Sequence, residues 1–199
     1  MKLFLASGNA HKTAEFQSLA DAGGLRVEIV SAAAAGGMPA VVEDAGTFAG
    51  NARKKAHALR TRLPKEAWAL ADDSGLCVDA LGGAPGVESA YYAGPKSDSA
   101  ANLKKLVEAM RQVPEAQRGA HFTCVLVLAG PSGELVFEGR CNGRLLCEPR
   151  GEGGFGYDPL FVPEGYTQSF SELGSEIKNR LSHRAHAWEK LAEWLSETL

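Results

Sequence analysis

The feature that most constrains this chain is a pair of β-patterned runs, Phe122–Leu128 and Leu135–Asn142, separated by Gly130-Pro131-Ser132-Gly133. Two such runs around a Gly/Pro turn predict a β-hairpin with a loop of four or five residues, hence antiparallel strands. Elsewhere short apolar runs alternate with helical patterns. Leu3–Ala6 reads as a buried strand, Lys12–Ala20 as a helix, Arg26–Val30 as a strand and Ser31–Pro39 as a loop. Phe48, Ala52, Ala56, Leu59 and Leu63 recur at helical spacing until Pro64 ends the pattern. Trp68–Ala71 is a short apolar strand entering Asp72-Asp73-Ser74-Gly75, and the Gly/Pro-rich segment at 81–86 reads as loop. Ala100–Met110 and Leu181–Leu195 carry two further amphipathic helices. Interleaved strands and helices that include an antiparallel hairpin specify an α/β fold with a mixed sheet, not a purely parallel one. No internal repeat or low-complexity linker interrupts it.

Composition narrows the function. A chain of 199 residues with net charge −3 carries no global field for nucleic acid or an acidic membrane, so any grip on a polyanion is local. Its four cysteines, Cys77, Cys124, Cys141 and Cys147, form no CxxC pair and read as reduced thiols. The apolar core of the N-terminus is too short for a signal peptide, and no run approaches the roughly 20 residues that span a bilayer. A cytoplasmic enzyme is expected.

Five segments carry chemistry. In Ser7-Gly8-Asn9-Ala10-His11-Lys12 a strand enters a glycine loop and a helix follows, so backbone N–H groups and the positive helix end converge where a phosphate can sit. The spacing is not that of a Walker A loop, and a plain helix cap by Asn9 is the competing reading. Asp72 and Asp73 follow an apolar strand, where open α/β sheets place ligands; adjacent buried carboxylates call for a cation, and Mg²⁺ takes one or two of them. A simple Asp/Ser/Gly turn is the alternative. Glu43 and Asp44 form a second acidic pair ahead of a helix. Gly153–Asp158 isolates Phe155 among glycines, either as a platform for a nucleobase or as a residue tucked into the core. Lys178 and Ser182-His183-Arg184 place positive charge at a helix start, against the dipole, where a base carbonyl or anion could be met; a solvated basic turn competes. Together these segments describe a nucleotide site.

In this order, SGNAHK at 7–12, EDAGTFAGNARKKA at 43–56, ADDSGL at 71–76, LGGAPGVESAYYAG at 81–94, GGFGYDPLF at 153–161 and KNRLSHR at 178–184 resemble the inosine triphosphate pyrophosphatase family. The resemblance covers nearly the whole chain. It implies Mg²⁺-dependent hydrolysis of ITP, dITP and XTP to the monophosphate and pyrophosphate, cleansing the nucleotide pool. It also implies one domain over 1–199 in two lobes with a cleft between them, acting as a homodimer without nucleic-acid or membrane partners. Carried over by position, Ser7, Gly8, Asn9, Ala10, His11, Lys12 and Lys55 bind phosphates. Glu43 and Asp73 hold the metal, with Asp73 also the base. Ser74 touches substrate, and Phe155 stacks on the base with Gly156, Tyr157 and Asp158 completing its loop. Lys178, His183 and Arg184 read the base. Ser7 stands where Thr is frequent, and Ile177 where an acidic residue is common. A non-hydrolytic nucleotide-binding regulator and a pyrophosphatase for modified pyrimidine nucleotides are the alternative readings.

Overall fold

A computed structural model describes residues 1–198 of the chain, apart from the side chain of His11. Its elements, in order, are β1 (Lys2–Leu5), α1 (Ala10–Ala22), β2 (Glu28–Ser31), α2 (Phe48–Arg60), β3 (Trp68–Val78), α3 (Ser99–Ala109), β4 (Gly119–Gly130), β5 (Gly133–Leu145), β6 (Phe161–Pro163), α4 (Phe170–Leu181) and α5 (His183–Thr198). The six strands form one mixed sheet ordered β2-β1-β3-β4-β5-β6. The α/β class with a mixed sheet is therefore as expected. The chain divides into two compact units, one of residues 1–73, 124–139 and 187–198, the other of residues 74–123 and 140–186.

In the first unit β1 pairs in parallel with both β2 (Leu3 opposite Ile29) and β3 (Leu3 opposite Trp68). Strand residues alternate between faces, and two separate cores result. Leu3, Leu5, Leu70, Leu126 and Leu128 pack with Phe16 and Ala20 of α1 and with Trp188, Leu191 and Leu195 of α5. Ala69, Ala71, Val125, Val127 and Ala129 pack with Ala52, Ala56 and Leu59 of α2. Burial on both faces is why Val125–Ala129 reads as an unbroken apolar run, not an alternating one.

The second unit has its own core around Leu76, Leu106, Met110, Leu145, Phe161 and Phe170. Phe122 packs edge-on to Phe161 at 4.8 Å between centroids and stacks on His183 at 4.8 Å and 14°. β5 and β6 pair antiparallel here, with Leu145 opposite Phe161.

Several local expectations are corrected. The hairpin loop is two residues, Pro131-Ser132, because both strands extend into the flanking glycines and Gly133 takes a positive φ of 123°. β3 does not stop at Ala71 but runs to Val78, so Asp72-Asp73-Ser74-Gly75 lies inside a strand and not beyond its end. Ladder pairing has overridden turn chemistry there. The loop expected at 31–39 contains a 3₁₀ turn, Ala32–Ala35, capped by the Ser31 hydroxyl, and the loop at 81–86 is flanked by 3₁₀ turns at Asp79–Leu81 and Gly86–Tyr91. α4 was not anticipated, although its capping box was present: the Ser169 hydroxyl accepts from Glu172 N–H while the Glu172 carboxylate takes Ser169 N–H. Gly174, at φ 79°, breaks its regularity. The basic segment is consequently not a solvated turn. Lys178 lies in α4, His183 and Arg184 open α5, and all three are buried.

Candidate active site

The first unit gathers most of the expected phosphate and metal residues around β3. Consecutive residues of a strand face opposite ways, so Asp72 and Asp73 do not compete for one cation. Asp72 lies on the α1 side, where its carboxylate takes an ion pair from Lys12 and accepts from the Cys124 thiol at 3.6 Å. Asp73 lies on the α2 side, where Lys55 Nζ reaches its Oδ1 at 2.6 Å. The need for a shared cation, inferred from adjacency, is thus replaced by two lysines on two faces.

The Ser7–Asn9 loop carries the chain from β1 into α1. The Ser7 hydroxyl accepts from Asn9 N–H at 3.1 Å, and the Asn9 carbonyl accepts from Lys12 and Thr13 N–H. The helix begins at Ala10, two residues earlier than its apolar pattern shows, so Ala10 and Lys12 belong to its first turn. Gly8 and Asn9 are exposed, and a Cβ at Gly8 would meet nothing. Apart from the Lys12 N–H, which the Asn9 carbonyl accepts, the N–H groups that open such a helix lack an intrahelical acceptor and suit an anion. The expected side-chain role of His11 falls outside the described residues.

Glu43 and Asp44 are separated by α2. Lys54 pairs with the Asp44 carboxylate and donates to Val42 O at 3.3 Å, while Lys55 reaches Glu43 Oε2 at 3.1 Å. Glu43, and not Asp44, therefore shares a cation with Asp73. Asn51, whose role the sequence reading missed, accepts from Ala45 N–H at 3.0 Å and donates to Asp73 Oδ2 at 3.4 Å. Its signal was available: a polar residue four positions before Lys55, on the buried face of an amphipathic helix.

Burial pushes the Asp73 carboxyl up to about 6; Lys55 pulls it down, and neighbouring Glu43 adds to the rise. Burial also works against the charge on Lys55, yet Asp73, Asp72 and Glu43 outweigh it and hold the ammonium above the usual lysine range. Asp73 is thereby ionised at neutral pH but more basic than an exposed aspartate, as a proton acceptor requires. No group of three or more His, Cys, Asp or Glu side chains is arranged as a metal cage among the described residues. Two carboxylates converging on one positive charge nevertheless match the donor set of Mg²⁺, which completes its shell with water and phosphate oxygens.

The second unit holds the residues expected at the base. Phe155 is 54% exposed, so it is not tucked into the core. Lys178 Nζ sits 4.0 Å from its ring centroid and 2.6 Å from Asp158 Oδ2. Asp158 also accepts Phe155 N–H at 2.8 Å, and a Cβ on Gly154 would strike the Asp158 carboxylate at 2.5 Å. That glycine and the positive φ of Gly156, 63°, let the loop close tightly beneath the aromatic ring. Tyr157 turns inward and donates to Ser89 O at 2.8 Å. Arg184, only 2% exposed, donates to the Ser74 hydroxyl at 3.2 Å.

The Ham1 family model matches residues 3–194. The chain is 63% identical over 199 residues to the dITP/XTP pyrophosphatase of Opitutus terrae, covering 98% of each, and 47% identical over 201 residues to that of Streptomyces avermitilis, covering 100% of this chain and 98% of the relative. Among solved structures it resembles the Staphylococcus aureus Ham1 protein, with TM-score 0.88 and 32% identity over all of both chains. A HAM1 protein from Coxiella burnetii gives TM-score 0.88 and 36% identity over 99% of each.

Proposed function

The chain belongs to the Ham1 family, and from that premise we propose that it hydrolyses the non-standard purine nucleotides ITP, dITP and XTP to the monophosphate and pyrophosphate. The observation that carries the proposal is the cluster on β3 and α2. Asp73 is a buried carboxylate of raised basicity, held at one oxygen by Lys55 and at the other by Asn51, with Glu43 on the same ammonium.

Phosphoryl transfer is mainly positioning and charge stabilisation. Ser7, Gly8, Asn9, Ala10 and Lys12 receive the triphosphate, assisted by Lys55. Glu43 and Asp73 would hold Mg²⁺, which when bound offsets phosphate charge and orients water. Asp73 accepts the proton of the attacking water as the bond between the α and β phosphates breaks. Lys55 limits the cost of Asp73 charge before substrate arrives.

Phe155 offers the stacking face for the base, with Gly156, Tyr157 and Asp158 shaping its loop. Lys178, His183 and Arg184 supply donors, and Ser74 is presented by its bond from Arg184. Hypoxanthine and xanthine bring an O6 acceptor to such donors, whereas adenine brings a 6-amino donor. The working form we propose is a homodimer, as in the enzymes the motifs resemble. Four free cysteines suit a cytoplasmic enzyme.

The test is a panel of ITP, dITP, XTP, ATP, GTP and modified pyrimidine triphosphates with Mg²⁺, reading phosphate release with and without added inorganic pyrophosphatase. Phosphate appearing from ITP only when the coupling enzyme is present is the expected result. No release from any non-standard purine nucleotide, or full activity in Asp73→Asn, overturns the proposal.

A further inference from the structure

Helix α2 touches both proposed metal carboxylates through two residues one turn apart. Asn51 is 1% exposed, and its amide is used at both ends. Its Oδ1 must face the Ala45 N–H, which can only donate, and this fixes the Nδ2 group toward Asp73 Oδ2. Lys55, four residues on, spans Glu43 Oε2 and Asp73 Oδ1. The 43–45 segment and Asp73 are therefore each gripped by the same two side chains. The segment also packs tightly on the first turn of α2. A Cβ on Gly50 would lie 2.5 Å from the Ala45 Cβ and 2.9 Å from the Thr47 hydroxyl, although the backbone of Gly50 is ordinary helix.

We propose that Asn51, with the close approach permitted by Gly50, is a positioning residue that sets the separation of Glu43 from Asp73 and so tunes the affinity of that pair for a divalent cation. The inference deepens the proposed function and rests on it. When Lys55 loses one carboxylate to a metal, the ammonium still has the other, so it does not hold their spacing rigidly. Asn51 is uncharged and is not a competitor for either carboxylate's cation. Its two bonds tie loop to strand.

Two variants test this on the intact chain. Asn51→Leu keeps the volume and removes both hydrogen bonds; Gly50→Ala keeps Asn51 and pushes Ala45 away, in a helical position where alanine is the better residue. Mn²⁺ binding to the nucleotide-free protein is measured by paramagnetic relaxation of water protons, and the Mg²⁺ dependence of ITP hydrolysis separately. Each variant is expected to weaken Mn²⁺ binding about tenfold and to raise the Mg²⁺ needed for half-maximal rate similarly, with a much smaller fall in kcat at saturating Mg²⁺. If Asn51→Leu does not fold, Gly50→Ala alone decides. Unchanged Mn²⁺ affinity, a defect confined to the KM for ITP, or wild-type Mn²⁺ binding insensitive to Glu43→Gln overturns the inference. A wild type that binds Mn²⁺ at Glu43 but hydrolyses no nucleotide refutes the proposed function instead, and leaves the positioning role to be judged by the Mn²⁺ titrations.

Discussion

Asp72 and Asp73 stand back to back across β3, each neutralised by a lysine from a different helix: Lys12 of α1 on one face and Lys55 of α2 on the other. The strand's alternation turns what would be a repulsive pair into two separate ion pairs. Each has its own consequences.

Removing one partner of a buried pair strands the other's charge, which is costlier than removing both. Lys12→Met is therefore expected to destabilise the protein by about 3 kcal/mol, whereas Lys12→Met combined with Asp72→Asn should lie near the wild type. Urea denaturation of the two proteins checks this. Equal destabilisation by the single and double changes would mean that the pair is not what neutralises Asp72.

The raised Asp73 carboxyl has a stability signature. A folded-state value of about 6 against 3.8 means that the folded protein holds the proton more tightly than the unfolded chain. That contribution to stability is complete below pH 4 and is lost as pH rises through about 6. Asp73→Asn escapes the loss. In metal-free buffer the variant should be more stable than wild type by up to about 3 kcal/mol at pH 7.5, and equal to it near pH 3.5. A pH-independent difference in denaturation midpoint would refute the assignment.

Phe155 is exposed, so its ring contributes little to the core, and its value should appear on binding. Phe155→Leu is expected to raise the KM for ITP about tenfold, in line with the cost of losing one stacked base. The melting temperature should hardly move. A change in melting with no change in KM would reverse the reading of this residue.

Arg118 is a buried guanidinium that donates to Met110 O at 2.7 Å, Val113 O at 3.1 Å and Leu146 O at 2.9 Å. It satisfies carbonyls at the end of α3, where a cation also opposes the helix dipole favourably. Arg118→Met removes the donor to the Val113 and Leu146 carbonyls, while the Met110 carbonyl keeps the Val113 N–H at 3.0 Å, and should cost about 3 kcal/mol in urea unfolding. The rate per folded molecule should stay that of the wild type. A selective loss of turnover would give Arg118 a role that its contacts do not suggest.

The sequence by itself determined the class of fold and the candidate residues. Period-3.6 stripes located α1, α2, α3 and α5, and the Gly/Pro turn between apolar runs located the hairpin, because these signals are local. The six motif blocks, read together, pointed to a family whose membership the whole chain shares. Helix α4 was also legible, through Ser169 and Glu172 and through Phe170, Leu173, Ile177 and Leu181 at helical spacing, but Gly174 interrupts that pattern.

Only the tertiary structure decided what each charge does. Asp-Asp-Ser-Gly has the composition of a turn, and its place inside β3 depends on strands brought alongside from distant parts of the chain. Strand geometry then sends neighbouring side chains to opposite faces, which is why Lys12 meets Asp72 while Lys55 meets Asp73. The choice of Glu43 over Asp44, and the part played by Asn51, follow from which residues of α2 face the sheet. Local propensity could not supply the lysine–carboxylate partners: they lie 12 to 60 residues apart in the chain and meet only when the sheet and helices pack.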